Sequence, residues 1–395
     1  MYLASMERGY IVMNKKKNLQ YEKIPQYLLI IAFMVFCICT GYFSLKNYWN
    51  IKVSGVEATP DGYTKENAFE ENFNILLWNK DKYVEYYGLA ANWMKQPKLN
   101  NTIKLKNGYL SEEREAYSDE ILKKNADDLR RTKEYLEEKG SGLLYVQSPY
   151  KISKYDSQMP MGIEDYSNDN MDRFLNFIHE NGIDTIDLRE SFWKEGMDLY
   201  DYFFKTDHHW TPEAGFFAFT QIAAYTEKVL ETEIDGLVTN IDNYKIENFE
   251  DWHLGSNGQR TGIRYGGIDD FHLITPDFHT SITNVLTGET GSYQDVLIER
   301  VVLEEESRAV YDICYGNSMS GFFHNPNAAN DKTVVLVSDS MGKVVAPFVI
   351  LAFENVYTTG YDLNQEKIEE INPDLVIYLP YHDNIDGEGY YSIFK

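Results

Sequence analysis

Short, continuously apolar runs alternate along this chain with longer amphipathic segments, and this alternation limits the possible folds. The runs "GLLYVQ", "TVVLVS" and "DLVIYL" have the length of strands. Strands without a polar face are typical of parallel sheets, because both faces of such a sheet are buried. The alternation therefore predicts an α/β domain, with a parallel sheet that is covered by helices on both faces.

The segments between these runs carry helix start and stop signals. Residues 111–140 begin with Ser111, have acidic residues in their first turn and end at Gly140, which predicts a helix capped by Ser111. The stretch "SNDNMDRFLNFIHENG" predicts a second helix with an Asn or Ser cap. Pro212 precedes an amphipathic repeat and has the position of a first helical residue. The stretch "MGKVVAPFVILAF" predicts a further helix directly after an apolar run.

One segment near the N-terminus departs from this pattern. From Tyr27 to Phe43 the chain has no charged residue, close to the minimum of about 17 to 25 residues that crosses a bilayer core. Basic residues are more frequent before this segment than just after it. The positive-inside rule therefore predicts a cytoplasmic tail at residues 1–26, a transmembrane anchor at 27–45 and an extracellular remainder. A cleaved signal peptide is the alternative, although no small-x-small cleavage site follows cleanly.

The part beyond the anchor divides by composition. Residues 46–110 contain aromatic stretches and the pattern "TIKLKNGYL", which predicts strand, turn and strand in an approach segment packed on the main domain. Residues 111–395 are predicted to form the α/β domain. Within it, residues 236–330 are rich in Gly, Asn, Asp and Thr and have short alternating runs. They predict an antiparallel, β-rich insertion that shapes a cleft.

Charge and cysteine content narrow the function classes. The formal net charge of −25 argues against a nucleic-acid partner, which requires a basic surface. The 31 tyrosines suit sugar-stacking clefts, but they suit half-buried strands equally well. Cys37 and Cys39 lie in the apolar segment, which leaves Cys314 alone in the exported part, so no intramolecular disulfide can form there.

A polar constellation follows one of the predicted strands. Ser338, Asp339 and Ser340 lie between a buried strand and a helix, and ligands bind outside the carboxyl ends of parallel strands. A helix N-terminus favours developing negative charge, which makes Ser340 a candidate nucleophile. The alternative is an ordinary helix cap.

A second constellation is Asp207-His208-His209, in a chain with eight histidines. A serine nucleophile needs a base, and the base needs an acid that fixes its tautomer. In an extended segment Asp207 and His209 would face the same way while His208 would point elsewhere. This geometry argues against a metal held by both histidines, and further ligands with metal-site spacing are missing. We therefore predict no metal and no cofactor; the alternative is that both histidines belong to the turn before Pro212.

A third candidate is His382 with Asp383, at the end of the last predicted strand. It would reach the same edge of the sheet and would compete with His209 for the role of base. The alternatives are an ordinary loop and a contact to substrate at the rim of the cleft.

These residues resemble a known family. "TDHHWTPEAGF" resembles the signature of the DHHW proteins, relatives of the alginate O-acetyltransferases in the SGNH hydrolase superfamily. "VSDS" resembles the Gly-Asp-Ser nucleophile block of that superfamily, with Ser338 where Gly is usual. "SPYKISKY" is similar to a proline-lysine-tyrosine stretch, and "HLGSNGQRTG" to a Gly-Ser…Arg-x-Gly segment. The likeness covers roughly residues 105–383.

The resemblance implies an SGNH-like, flavodoxin-like domain in which the acid and base precede the serine. By it, Asp207 matches the acid, His209 the base and Ser340 the nucleophile. The superfamily's Gly and Asn oxyanion blocks have no clear counterpart. The further candidates for substrate or oxyanion contacts are Ser256, Asn257, Arg260, Lys151, Tyr155, Trp210 and His382.

The function that this resemblance implies is a membrane-anchored, extracytoplasmic O-acetyltransferase. It would form an acetyl-Ser340 intermediate and acetylate hydroxyls of an exported polysaccharide or cell-wall polymer. A membrane-bound acyltransferase would supply the acetyl groups. Two alternatives stay open. One is a carbohydrate acetyl esterase with the same residues, and the other is a non-catalytic polysaccharide-binding or assembly protein, which the missing oxyanion blocks favour.

Overall fold

The computed structural model describes residues 25–46, 78–303 and 310–395. The chain divides into two units, with the boundary between Val84 and Glu85. In the first unit, helix α1 (Pro25–Lys46) has a mean hydropathy of 2.4 over its most apolar window and is long and apolar enough to cross a membrane. It contains the predicted anchor. The predicted cytoplasmic tail, up to residue 24, and residues 47–77 of the predicted approach segment lie outside the described residues.

The remaining elements follow in chain order. The strands are β1 Lys98–Leu99, β2 Thr102–Lys104, β3 Leu110–Ser111, β4 Gly142–Gln147, β5 Asp184–Asp187, β6 Tyr244–His253, β7 Asp269–Pro276, β8 Ile282–Asn284, β9 Glu289–Gly291, β10 Gly321–His324, β11 Thr333–Ser338, β12 Asn355–Thr359 and β13 Leu375–Leu379. The helices are α2 Lys80–Trp93, α3 Asp119–Glu138, α4 Ser167–Glu180, α5 Leu188–Lys194, α6 Pro212–Val229, α7 Gly236–Thr239, α8 Ser256–Thr261, α9 Ile263–Gly266, α10 Tyr293–Leu297, α11 Val310–Cys314, α12 Ala346–Ala352 and α13 Gln365–Ile371. Short 3-10 helices include Leu199–Tyr202, Ser340–Val344 and His382–Asp386.

The main sheet of the second unit is mixed. Its strand order is β5-β4-β13-β11-β12-β10-β8-β9. The five strands from β5 to β12 are parallel, and β10, β8 and β9 continue the sheet in antiparallel fashion. The predicted α/β fold is confirmed. The antiparallel strands β8 to β10 join the main sheet and cover the edge that β12 would otherwise expose, whereas β6 and β7 form a separate ladder.

Both faces of the parallel strands are buried. Leu144 and Val146 of β4 belong to one apolar core, together with residues of α6 and α12. Leu143 and Tyr145 belong to a second core on the opposite face, together with residues of α3 and α4. Since successive side chains of a strand point to opposite faces, this double burial explains the continuous apolar runs. Full burial stabilises by about 1.5–3 kcal/mol for each large aliphatic side chain.

The predicted cap of α3 is wrong by several residues. Ser111 lies in β3, opposite Ile103, and α3 is capped by Ser118, whose side chain accepts from the backbone N–H of Ile121. Between these serines, tertiary contacts replace helical hydrogen bonds: the N–H of Tyr117, for example, donates to Asn170 Oδ1 at 2.9 Å. Ser118, like Ser111, is followed directly by acidic residues, here Asp119 and Glu120 in the first turn of the helix.

Candidate active site

Ser340 lies at the carboxyl end of β11, in the parallel part of the main sheet. The residue before it, Asp339, caps the 3-10 helix Ser340–Val344 by accepting from the N–H of Met341 at 2.9 Å. The second Asp339 oxygen accepts from the Tyr361 hydroxyl and from Asn384 Nδ2, each at 2.6 Å. The regular helix predicted here begins only at α12. Asp339 therefore fixes the turn that carries Ser340.

Ser338 stands where the superfamily's nucleophile block usually has glycine, and its side chain lies close to the backbone of Gly342. Its side chain is buried, and a Cβ placed on Gly342 would lie 1.9 Å from Ser338 Oγ. A glycine at position 342 thus leaves room for the serine hydroxyl. Ser338 packs inside the turn and does not compete with Ser340 for the surface.

The segment with the two histidines is a tight loop. Phe203 and Trp210 form an antiparallel bridge, and the N–H of Phe204 donates to the His209 carbonyl at 3.3 Å. Trp210 is fully buried and donates from Nε1 to the Met341 carbonyl at 2.9 Å. Trp210 therefore joins this loop to the turn that carries Ser340.

The loop brings Asp207, His209 and Ser340 into one hydrogen-bonded line. His209 Nδ1 lies 3.1 Å from Asp207 Oδ1, and His209 Nε2 lies 2.8 Å from Ser340 Oγ. Asp207 and His209 are buried, while Ser340 is partly exposed. With the proton on Nδ1, the imidazole donates to the carboxylate and accepts from the serine hydroxyl. This arrangement can take the proton from Ser340 as its oxygen attacks an acyl group.

The electrostatics of the loop suit that chemistry. Burial lowers the pKa of His209 below its ordinary value of 6.5, and the nearby Asp207 opposes this shift only in part. Burial alone would raise the pKa of Asp207, but hydrogen bonds from His208, His209 and His253 hold that pKa well below its ordinary range. At neutral pH the imidazole is therefore an unprotonated base beside an ionised carboxylate.

His208 does not point away from this line as predicted. Its Nδ1 lies 3.0 Å from Asp207 Oδ1 and 2.9 Å from Ser256 Oγ, and its ring centroid is 3.8 Å from that of His209. The prediction assumed an extended segment, whereas this loop is bent. Asp207, His208 and His209 consequently offer ligand atoms within 4.8 Å of one another, close enough to hold a metal ion. An ion bound by both ring nitrogens and the carboxylate would compete with the hydrogen bonds that already use these atoms.

His253, at the end of β6, contacts the same carboxylate and was not predicted. Its Nε2 lies 2.8 Å from Asp207 Oδ2, so the two Asp207 oxygens face two different histidines. Its Nδ1 is buried without a hydrogen-bond partner among the described residues. Because an ionised carboxylate can only accept a hydrogen bond, the contact requires the proton on Nε2, from which His253 donates to Asp207. Two sequence signals could have pointed to this residue: histidines are few, and His253 is the first residue of the segment "HLGSNGQRTG".

Tyr311 of α11 was also not predicted. Its ring stacks on His209, with centroids 4.1 Å apart and an interplanar angle of 18°. Its hydroxyl donates to the Ser340 carbonyl at 2.9 Å. Tyr311 thus contacts both His209 and Ser340, which lie 2.8 Å apart, and limits rotation of the imidazole.

The remaining sequence candidates differ in their surroundings. Ser256 lies beside Asp207 and His208. Asn257 and Arg260 bond to each other, and Arg260 also pairs with Glu112.

Lys151 is fully buried under the loop. It donates to the backbone carbonyls of Leu110 and Asp207, and burial lowers the pKa of Lys151 to about 8.

Tyr155 and His382 do not join the line of Asp207, His209 and Ser340. Tyr155 is 40% exposed and stacks on Trp193. His382 is buried, stacks on Tyr150 at 3.8 Å and has no hydrogen-bond partner at either nitrogen within the described part of the chain. This burial removes His382 from the rim of a cleft, and Ser340 is not its partner.

Comparisons with known proteins support the SGNH hydrolase-like fold. Residues 108–240 match the family model of ALGX, described as the SGNH hydrolase-like domain of the acetyltransferase AlgX. The structure of Bacillus cereus PatB1 superposes with a TM-score of 0.60 at 20% identity, over 73% of this chain and 99% of PatB1. PatB1 with a sulfonyl adduct gives 0.59 at 17% identity, over 75% and 98%. A DHHW family protein from Eubacterium siraeum gives 0.58 at 16% identity, over 75% and 97%. A comparison with curated protein sequences found no match.

Proposed function

We propose that this chain, which has the SGNH hydrolase-like fold and resembles the DHHW family and AlgX, is a membrane-anchored O-acetyltransferase. Its acceptors are hydroxyls of an exported polysaccharide or cell-wall polymer. The observation that carries the proposal is the 2.8 Å contact between His209 Nε2 and Ser340 Oγ. A serine is weakly acidic, and a neutral imidazole at hydrogen-bond distance makes it a nucleophile.

The first half of the reaction acylates the enzyme. Ser340 Oγ attacks the carbonyl carbon of an acetyl donor while His209 Nε2 takes the hydroxyl proton. The bond between the acetyl carbon and the donor's leaving group then breaks, and the leaving group receives that proton from the imidazolium. The products are acetyl-Ser340 and the protonated leaving group.

The second half transfers the acetyl group. A sugar hydroxyl attacks the acetyl-Ser340 carbonyl, and His209 accepts the hydroxyl proton. As the ester bond to Ser340 breaks, the imidazolium returns the proton to Oγ. Asp207 stabilises the imidazolium in both halves, and its ionised state is supported by its three histidine neighbours. Such a carboxylate contributes about 10⁴-fold to the rate in serine hydrolases.

The resemblance and the distribution of charge support the acceptor and the location. The matched family is described as an acetyltransferase, and a formal charge of −25 favours neutral acceptors over anionic ones. Helix α1 anchors the chain in the cell membrane. The basic residues before it favour a cytoplasmic N-terminus and an extracellular catalytic domain. A membrane-bound acyltransferase supplies the acetyl groups.

The proposal is tested with Ser340→Ala in the full chain, purified in detergent. We expect the variant to lose release of p-nitrophenol from p-nitrophenyl acetate, because no acyl-enzyme can form. The matched control is Ser338→Ala, which removes a buried serine hydroxyl two residues away and should keep the activity. Equal rates in Ser340→Ala and the parent would remove Ser340 as the nucleophile, and no release above background in the parent would favour the non-catalytic alternative.

Transfer is distinguished from hydrolysis by weighing the products. The parent protein is incubated with p-nitrophenyl acetate and cellohexaose, and the sugar is analysed by mass spectrometry. We expect a gain of one acetyl group on the sugar. Release of acetate without acetylated sugar would favour the carbohydrate esterase.

A further inference from the structure

A cavity of about 530 Å³ opens beyond the carboxyl ends of β4 and β5. One wall is the segment 153–156, which follows β4. The other wall is α5 and the residues after it, up to Leu199. This volume lies in the range of about 300–1,000 Å³ that is typical of small-ligand sites. The reaction proposed above does not use its lining residues.

An aromatic pair lines the cavity. The rings of Tyr155 and Trp193 stack with centroids 4.2 Å apart and an interplanar angle of 18°. They are 40% and 58% exposed, respectively. Solvent contact of two large rings side by side is unfavourable, and such a patch beside a cavity indicates a binding surface. The broad faces of aromatic rings suit the C–H faces of sugar rings.

Charged groups hold this pair in place. The Tyr155 hydroxyl donates to Glu190, and Lys154 Nζ lies 3.3 Å from the same carboxylate. Arg189, whose side chain is 2% exposed, pairs with Asp187 and Asp172 at 2.7 Å each. Both walls are therefore preorganised, which reduces the entropic cost of binding.

The cavity is close to Ser340 by strand order and by chain connection. Between β11 and β4 lies only β13, so their carboxyl ends are about 10 Å apart at the usual strand spacing. Lys151 contacts the Asp207 carbonyl, and Tyr155 follows it by four residues, within about 14 Å along the chain. The opposite wall leads through the 3-10 helix Leu199–Tyr202 into the loop that carries Asp207.

We propose that this cavity is a subsite for a neutral sugar unit of the acceptor glycan, a few units away from the hydroxyl that is acetylated. This inference rests on the proposed function. The sugar ring stacks on the Tyr155–Trp193 pair. Its hydroxyls donate to the carboxylates of Asp156 and Asp198 and accept from Lys154, all of which line the cavity. The lining has two carboxylates, Asp156 and Asp198, and two cations, Lys154 and Arg189. Both cations already pair with other carboxylates, so the subsite favours neutral sugars over acidic ones.

Binding is measured separately from catalysis, on the full chain in detergent with Ser340→Ala as the parent. Isothermal titration with cellohexaose and hexa-N-acetylchitohexaose should give saturable binding of at least one of them. Adding Trp193→Ala should weaken this binding at least 10-fold, the loss expected for a central aromatic anchor. The matched control is Trp93→Ala, which removes a tryptophan that is 84% exposed on α2 and should leave the affinity unchanged. Circular dichroism melts verify that each variant is folded.

The activity assays separate failure of the subsite from failure of the proposed function. With Ser340 present, Trp193→Ala should keep p-nitrophenol release from p-nitrophenyl acetate and lose acetylation of the hexasaccharide that binds. Unchanged binding in Trp193→Ala, or no binding of either hexasaccharide to the parent, would overturn the subsite and leave the role of Ser340 intact. If Ser340 is not the nucleophile, Ser340→Ala will instead still release p-nitrophenol from p-nitrophenyl acetate.

Discussion

Two buried histidines lie at the carboxyl edge of the main sheet, and they differ in their partners. His382 follows β13, and His209 contacts Ser340, which follows β11. His209 and His382 are each 2% exposed, and burial lowers the pKa of both imidazoles. His209 has Asp207 on one nitrogen and Ser340 on the other. His382 has neither and packs flat against Tyr150. Burial and position are therefore common to both residues, and the oriented partners distinguish the candidate base from a packed ring.

The largest effect should come from His209→Ala. In the proposed mechanism this change removes the group that accepts the Ser340 proton, so kcat/KM for p-nitrophenyl acetate should fall by about 10³- to 10⁴-fold. The measurement is steady-state kinetics of the full chain in detergent. A fall of less than 10-fold would mean that His209 is not the base, and the comparison with His382 would lose its meaning.

His253→Phe should produce the next largest effect. It removes a donor to a buried carboxylate, and hydrogen bonds to charged groups contribute about 1.5–3 kcal/mol, or about 10- to 100-fold in rate. His253→Gln, which keeps a side-chain N–H, should recover part of the activity.

The pH profile separates this effect from a loss of folding. Without the His253 donor the Asp207 carboxylate should stabilise the imidazolium more strongly, so the pKa of His209 should rise and the acidic limb of kcat/KM should move to higher pH. A lower rate with an unchanged profile would mean that His253 only supports the packing of β6.

The next prediction concerns the fall of kcat/KM at low pH in the unmodified protein, which is a smaller change than the losses above. Because burial lowers the pKa of His209, the imidazole accepts a proton above that value and loses this capacity as pH falls through it. The midpoint of kcat/KM should therefore lie below 6.5, the ordinary value. A midpoint above 6.5 would contradict the pKa direction inferred from burial.

The smallest effect should come from His382→Phe. Phenylalanine can keep the contact with Tyr150 and removes two buried nitrogens that lack hydrogen-bond partners in the described structure. We expect kcat/KM to change by no more than about 2-fold, equivalent to about 0.5 kcal/mol. The melting temperature should stay the same or rise, because unpaired buried polar atoms cost free energy. A large loss of activity in a folded variant would return His382 to the list of candidate bases.

The sequence predicts the parallel sheet well, and the reason is physical. β4, β11 and β13 are buried on both faces, so each reads as a continuous apolar run. Ser340 could be singled out because it follows a parallel strand, at the edge of the sheet where ligands bind, and the resemblance to the DHHW signature related it to Asp207 and His209. These inferences use local patterns and a general rule of sheet geometry.

The contacts of His253 with Asp207 and of Tyr311 with His209 and Ser340 could not be predicted from the local sequence pattern. His253 and Tyr311 belong to segments far from Asp207 in sequence, and β6 alternates in a way that fits any half-exposed strand. His208 was misplaced because the extended-strand rule does not hold in a bent loop. Ser111 and Ser118 are equivalent as caps until the side chain of Asn170 is known to hold Tyr117. In each case a long-range contact decides what the neighbouring residues leave open.

In the proposed mechanism His209 activates Ser340, and covalent labelling of the serine measures this activation without a substrate. The full chain in detergent is treated with a sulfonyl fluoride, and peptide mass spectrometry locates the adduct and follows its rate. We expect one adduct on Ser340, no adduct on Ser338, and labelling that is nearly lost in His209→Ala but kept in His382→Phe. Labelling of Ser340 at the same rate in His209→Ala, or no labelling of Ser340 in the unmodified protein, would contradict the proposed mechanism.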